Sequence, residues 1–494
     1  MSENEDPIFA GLNTQQIAAV RAPFDRHCLV LAGAGCGKTT VLTRRVAYCA
    51  ANFCNPQHIL ALTFTHKAAE EMRQRALSLL PAVCGGATQP RITTFHGFGL
   101  WVVRDTVGGV RNAKRLGFFE EPRLLSPRER LEMLAEISNA QERQALGVDL
   151  LGLDDMLARV DANPAKALSL DTRRRMVLDE VAKRFAQRKA QRGVWEFSDM
   201  IAHALDLFER FPDVRDYYAR FFRHIVVDEF QDTNPQQIHL LRHLLGFGAK
   251  IFAVGDDDQA IYGFRGADTG PILNFSCRFD NACIFKLEIN YRSRPAILKA
   301  ANRIFADKPL SYRKILRSGR FGTSRSEQGQ KPRCYRFSTP EAMLDWILGR
   351  IRAVQGGAGG ACLLFRLNET MEWAREALRR RIPGEADMPV MMTVHGAKGL
   401  EFPVVFLCDC EESVFPYYRI RKKNTIRSWA DVPKILLSRR SAVPPACDID
   451  EERRLFYVAV TRAQQALYLL SCRKKYHNGR IVSFEPSRFL KLVR

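Results

Sequence analysis

An apolar run, Cys28-Leu29-Val30-Leu31-Ala32, passes directly into Gly33-Ala34-Gly35-Cys36-Gly37-Lys38-Thr39-Thr40, where helical periodicity starts and continues to about residue 50. Strand, glycine loop, helix is the order that most restricts the fold, because it asks for a parallel α/β unit. Glycines let successive backbone N–H groups converge on an anion at a helix N-terminus. In that reading Lys38 reaches terminal phosphates and Thr39 offers its hydroxyl to Mg²⁺. The first position of the general pattern is Ala32 rather than Gly, so a ligand-free glycine turn stays open for this stretch taken alone.

The same alternation repeats. A short helix over 14 to about 21 precedes the loop; a strand over 59–63 runs into a helix over 67–80, and a strand over 91–94 runs into Phe95-His96-Gly97-Phe98. From about 104 to 192 strand signals fade into Arg- and Lys-rich helical periodicity, which reads as an inserted helical subdomain whose basic faces are solvated or meet nucleic acid. Strands over 224–227 and 250–254 resume the first sheet. A second α/β unit starts near 287, with strands over 361–365, 390–393, 404–408 and 466–471 and a helix over 369–380. Residues 308–330, rich in Ser, Gly and Arg, read as a surface loop. The expected fold class is α/β, two parallel-sheet domains with a helical insertion in the first: 1–103 and 193–286 for the first domain, 104–192 for the insertion, 287–494 for the second.

At 494 residues the chain is too long for one core of ordinary size. It carries 75 Lys+Arg against 54 Asp+Glu, a net +21 that attracts polyanions. The 13 cysteines are scattered with no CxxC pair, which implies no thiolate metal site and suits a reducing compartment. No apolar stretch approaches membrane-spanning length and the N-terminus lacks a signal core, so a cytoplasmic protein without membrane partners is expected.

Val226-Val227-Asp228-Glu229 ends another apolar run with two acids at the carboxyl end of a strand, where parallel sheets present chemistry. Asp228 would hold Mg²⁺ and Glu229 would orient or deprotonate an attacking water. Two acids there can also merely cap the next helix.

With both motifs in place, the chain resembles the UvrD/Rep/PcrA family of superfamily 1A DNA helicases, through an ordered series: LNTQQIAAV, AGAGCGKTT, LTFTHKAAEEM, ITTFHGFG, VVDEFQDTN, VGDDDQAIYGFRGAD, LEINYRSRPAIL, TVHGAKGLEFPVVFL and EERRLFYVAVTRA. The resemblance implies two RecA-like domains with ATP between them, ATP and Mg²⁺ as cofactors, and 3′ to 5′ movement on single-stranded and 3′-tailed duplex DNA. By the family pattern Gln16 reads adenine, Ala32 to Thr40 cradle phosphates, and Thr39 and Asp228 hold the metal. Tyr291 stacks on the base and Glu401 accepts a ribose hydroxyl. Lys38, Glu229, Gln259, Arg292 and Arg462 complete the catalytic set. DNA falls to Phe64, Thr65, His96, Phe197, Tyr262, Phe264, Arg265, Thr393 and His395, with Tyr476 a further candidate.

Departures from the family include Phe264 for Trp, His66 for Asn, and Gly97 and Gly396 for Ser. The largest is a deletion: after ACLLFRLNETMEWAREALRRRIP only residues 384–389 precede the next strand, so the helical subdomain 2B is expected to be absent. A loading or processivity partner is then expected, on the basic insertion helices or on 419–440. Related readings are a protein-displacing translocase, a nucleotide-controlled scaffold within a larger complex, and an RNA-directed motor.

Overall fold

The computed structural model describes residues 6–80, 88–118, 123–162, 170–263, 266–267, 270–309, 312–322, 324–351, 357–382, 384, 387–417, 449–477 and 480–493. It divides into two compact units, 1–31 with 38–257 and 262–286, and 32–37 with 258–261 and 287–494. Both are mixed α/β, each built on a parallel sheet, as the sequence led us to expect.

In the first unit the strands are β1 (Cys28–Ala32), β2 (Ile59–Thr63), β3 (Arg91–Thr94), β4 (His224–Val227), β5 (Lys250–Gly255) and β6 (Cys283–Leu287), in the order β6-β1-β5-β4-β2-β3. From β1 through to β3 every pairing is parallel. β1, β2 and β4 are buried at every residue, which is why they read as unbroken apolar runs: helices cover both faces. Because the strands run one way, every loop at their carboxyl ends emerges along one edge, and the helices that follow begin there. Thr65 caps α3 (His66–Leu77) by accepting from Ala68 N, and Thr94 caps α4 (Phe95–Arg104) by accepting from Gly97 N.

The helical insertion has its own core of Met133, Leu134, Leu146, Leu153, Leu157, Leu178, Val181, Phe185 and Val194. Its arginines are largely engaged by acids of the same bundle. Arg188 and Arg192 both hold Glu136, Arg184 holds Glu142, and Arg123 holds Glu129. The basic periodicity therefore marks internal pairing as much as an open cationic face. Lys189 fastens the bundle to the next helix, reaching Glu196 Oε2 at 2.9 Å and Asp199 Oδ1 at 2.7 Å.

In the second unit β7 (Arg333–Phe337), β8 (Ala361–Phe365), β9 (Val390–Thr393), β10 (Phe402–Leu407) and β11 (Ala463–Cys472) form a parallel sheet in the order β7-β11-β10-β8-β9. β7 escaped the sequence reading because Arg-Cys-Tyr-Arg-Phe alternates as an edge strand does and resembles no buried run. The stretch 308–330 is also more ordered than expected. Arg317–Ser318 pairs in parallel with Ile289–Asn290, a helix spans Arg325–Gln328, and Lys308 and Lys314 both bind Asp258, at 2.7 and 2.9 Å.

Beyond β10 the backbone turns sharply, with Asp409 and Ser413 at positive φ, and a buried ion cluster holds the turn. Lys475 Nζ lies 2.9 Å from both Asp409 Oδ1 and Glu411 Oε2. Burial pushes the Glu411 carboxyl above its usual range and Lys475 counters it. Removing the one cation leaves two buried acids without it, so Lys475→Ala should lower the unfolding free energy by roughly 3–5 kcal/mol. Urea denaturation of the full chain measures this, and a shift under about 1 kcal/mol would show the cluster to be expendable.

Candidate nucleotide and nucleic-acid site

Three neighbouring strands of the first sheet end in acids or in the glycine loop, and two of them carry residues expected to serve nucleotide chemistry, Asp256 and Asp257 being additions from the structure. β1 delivers the glycine loop and, at the start of α2 (Lys38–Asn52), Lys38; β5 delivers Asp256 and Asp257; β4 delivers Asp228 and Glu229. Lys38 Nζ stands 3.3 Å from Glu229 Oε2. Burial opposes the Lys38 charge, but Glu229, Asp256 and Asp228 outweigh it and hold the ammonium above the ordinary lysine range. Asp228 is pushed up to about 7 by burial and by the adjacent Glu229 carboxylate. The site thus holds more negative than positive charge, in oxygen donors of the kind that a hard divalent cation would complement.

Glu229 itself has φ 48 and ψ 44, a left-handed conformation that non-glycine residues adopt at a cost. Gln231, fully buried, pins it: its Nε2 donates to Glu229 Oε2 at 2.5 Å while its Oε1 accepts from Asp256 N at 2.9 Å. Gln231 was missed in the sequence, although it stands inside VVDEFQDTN.

Residues 32–37 of the glycine loop group with the second unit. Gly33 N donates to Leu287 O at 3.1 Å, Tyr291 N to Gly35 O at 3.0 Å, and Asn290 Nδ2 to Ala34 O at 2.6 Å. Asn290 Oδ1 also accepts from Arg292 N and Ser293 N, both at 2.8 Å, so one overlooked amide sets the loop and the following turn together. Cys36 is buried, and Thr39 and Thr40 open α2, where their carbonyls accept from Thr43 Oγ1.

The second unit brings together most of its expected residues. Arg462, 1% exposed, donates to Val458 O and Leu400 O, both at 3.0 Å, and its Nη2 is 3.4 Å from Gln259 Oε1. Arg292 pairs with Glu401, and Gln464 Nε2 donates to the other Glu401 oxygen at 2.9 Å. Burial raises and Arg292 lowers the Glu401 carboxyl, which ends below its usual range. Tyr291 is 38% exposed, as a stacking platform must be. In the first unit Gln16 is buried, its Oε1 accepting from Asn13 N in a capping box.

Three of the nucleic-acid candidates lie on the other half of the first sheet's edge. Phe64 and Thr65 follow β2 and His96 follows β3. The rings of Phe64 and Tyr262 are parallel to within 6°, centroids 6.5 Å apart. Phe197, at the start of the helix Phe197–Arg210, is 60% exposed with its ring edge-on to His96, so it is no core residue. Gly97, where the family has Ser, leaves little room: a Cβ would stand 2.5 Å from Thr93 Oγ1. In the second unit Thr393 ends β9 and accepts from Gly396 N through its hydroxyl, with His395 in the turn between. Lys398, not singled out earlier, donates from Nζ to Gln259 O at 2.9 Å. Phe264 and Arg265 lie outside the described residues, as does the side chain of Tyr476.

A parallel sheet whose carboxyl edge carries a glycine phosphate loop and a strand-terminal acid pair defines a phosphate-loop nucleotide-hydrolysing protein. Comparison with known proteins narrows the class. Residues 12–280 match the UvrD/REP helicase N-terminal domain, and residues 285–385 and 385–474 match the UvrD-like helicase C-terminal domain. A probable DNA helicase of Mycoplasma pneumoniae is 30% identical over 498 residues, covering 98% of this chain and 87% of its own. The ATP-dependent DNA helicase PcrA of Staphylococcus aureus is 34% identical over 658 residues, 98% of this chain and 86% of the relative. PcrA of Bacillus subtilis is 30% identical over 391 residues, 76% of this chain and 50% of the relative. The chain belongs to the UvrD/REP helicase family and is an enzyme of that class.

The loop geometry gives a graded test. Gly35 has φ +69, and a Cβ there would stand 2.6 Å from Asn290 Nδ2 and 2.8 Å from Arg292 Cβ; Gly11 has φ +75 with nothing within 4 Å. Gly11→Ala should therefore cost only about 1 kcal/mol of backbone strain. Gly35→Ala adds a collision and should weaken binding of a fluorescent ATP analogue by roughly tenfold or more. Equal, small effects from the two would show that the loop does not depend on this close approach.

Proposed function

We propose that the chain is an ATP-driven motor that moves 3′ to 5′ along single-stranded DNA in the cytoplasm, serving DNA repair, replication or mobile-element processing. The observation that carries this reading is the shared sheet edge: the acid pair, the phosphate-loop lysine and Phe64 each follow a parallel strand of one sheet, and the ring of Tyr262 lies parallel to that of Phe64. The family to which the chain belongs supports it, and so do its helicase relatives.

In this reading Lys38 binds phosphate oxygens and Glu229, set by its left-handed backbone and by Gln231, takes the proton of the attacking water. Thr39 and Asp228 hold Mg²⁺, which when bound neutralises phosphate charge. Gln259 senses the terminal phosphate, Arg292 and Arg462 offer guanidiniums to it, Tyr291 stacks on adenine, Gln16 reads its edge and Glu401 meets the ribose. Phe64, Phe197, Tyr262 and Phe264 supply faces for bases, with Thr65, His96, Arg265, Thr393 and His395 along the backbone.

The domain organisation 1A (1–103, 193–286), 1B (104–192) and 2A (287–494), without 2B, is part of the same proposal. Two comparisons support the missing insert. The C-terminal family match breaks and resumes at residue 385, and an alignment of 658 residues against a chain of 494 contains a long stretch of the Staphylococcus relative with no counterpart here. The Mycoplasma relative, by contrast, aligns with 98% of the chain in 498 positions and so lacks any comparable excess. A motor reduced in this way should translocate but unwind long duplexes poorly by itself, and gain duplex engagement from a partner protein.

Two measurements test this. Glu229→Gln should still bind ATP and DNA yet hydrolyse at least about a hundredfold more slowly, since the amide keeps the shape and loses the base. Failure of that variant to bind ATP would make Glu229 structural. The purified protein should also move along single strands in a stopped-flow translocation assay while giving little single-turnover unwinding of a long 3′-tailed duplex. Processive unwinding without a partner would overturn the proposed deficit, and absent translocation would overturn the motor.

A further inference from the structure

On the first unit, in residues that neither the nucleotide nor the DNA reading uses, two helices bring three metal-binding side chains together. Glu209 sits in the last turn of the helix Phe197–Arg210, and His239 and His243 lie one turn apart on the helix Pro235–Leu244. An i, i+4 spacing puts both imidazoles on one face. The candidate donor atoms of all three lie within 4.8 Å of one another. His239 Nε2 is 3.8 Å from Glu209 Oε1, beyond hydrogen-bond length, and the two imidazole rings are 4.7 Å apart at 33°.

Two features make this more than a surface accident. His243 Nε2 is shut off from solvent and has no hydrogen-bond partner, in a ring otherwise packed edge-on to Phe208. The donor set is also specific. Two imidazoles and one carboxylate suit zinc, nickel or copper, whereas Mg²⁺ and Ca²⁺ ask for oxygen alone. An ion with bonds of about 2.0–2.1 Å in tetrahedral geometry spaces its ligands by roughly 3.3 Å, so donors already this close need only small side-chain rotations. Glu209 supplies the countercharge, and Arg215, the nearby cation, is itself paired with Asp216.

We propose that Glu209, His239 and His243 form a binding site for one divalent transition-metal ion of the zinc and nickel class. The ion would cross-link the end of the helix that begins at Phe197 to the helix that follows the VVDEFQDTN segment. It would act as a staple between two packed helices, with water completing its coordination, and would take no part in hydrolysis.

The test uses untagged full-length protein titrated with NiCl₂ and ZnCl₂ by calorimetry, with Mg²⁺ in excess to fill oxygen sites. The 13 cysteines offer thiols to these ions, so the difference between wild type and variants decides. His239→Gln and His243→Ala should each weaken binding of one ion by about tenfold or more. The ion should raise the melting temperature of wild type and leave that of the double variant unmoved. Mg²⁺-supported ATP hydrolysis should be unchanged in His239→Gln, whose exposed side chain makes misfolding no explanation. Co²⁺ added to wild type should give tetrahedral absorption bands that this variant lacks. Unaltered affinity in His239→Gln, or an unaltered Co²⁺ spectrum, would overturn the site.

Discussion

Inside the first unit one ammonium, on Lys38, is set against two carboxylates, on Asp228 and Glu229, in a place that water scarcely reaches. Such an imbalance is unstable by itself. Burial and the adjacent Glu229 carboxylate push Asp228 up to about 7. The protein tolerates it because the surrounding structure over-determines it: a fully buried strand ends at Val227, a left-handed residue turns the chain, and Gln231 clamps the result to the neighbouring strand. Buried carboxylates beside a glycine loop make an oxygen-rich setting that suits a hard divalent cation.

The strand order gives that charge a second consequence. β1, β5 and β4 carry residues proposed to meet nucleotide, β2 and β3 residues proposed to meet DNA, and the seam between the sets is β4 against β2. Across it Asp228 N donates to Leu62 O at 2.9 Å, two residues before Phe64. On the other side Asp256, bonded to Gln231, starts the segment that runs on to Tyr262, whose ring parallels Phe64. A displacement of the acid pair is thus one backbone hydrogen bond from one aromatic and one side chain from the segment bearing the other. This is a continuous set of bonds of the kind that coupling requires, and double-mutant cycles between Gln231 and Phe64 would measure its strength.

Much of this was legible in the sequence, and for identifiable reasons. Buried parallel strands are continuous apolar runs, and residues that end them stand at the working edge, so Lys38, Asp228 and Glu229 could be placed from order alone, whereas Phe64 and His96 came from the family resemblance. What stayed hidden depends on partners far off in the chain. Asn290 reaches Ala34 across 256 residues, and Gln231 accepts from Asp256 N, 25 residues on. Edge strand β7 and the pairing of Lys308 and Lys314 with Asp258 left no periodic trace. The insertion's arginines read as an open basic face because sequence shows charge and not its partner.

In the second unit the guanidiniums of Arg462 and Arg292 have partners within the protein. Arg462 is buried against two backbone carbonyls and Gln259, while Arg292 and Gln464 occupy Glu401. Guanidiniums so well satisfied cost little to keep buried. Under the roles proposed for them, a terminal phosphate must compete with these partners. The exchange is favourable because a charged oxygen attracts a guanidinium more strongly than a carbonyl does. Gln259 is the member of the set that such an exchange releases, since its Oε1 is what Arg462 Nη2 now faces. Its carbonyl meanwhile stays bonded to Lys398, three residues beyond His395. Under those proposed roles, a glutamine between an arginine and the segment carrying His395 would report phosphate occupancy by a change of partner.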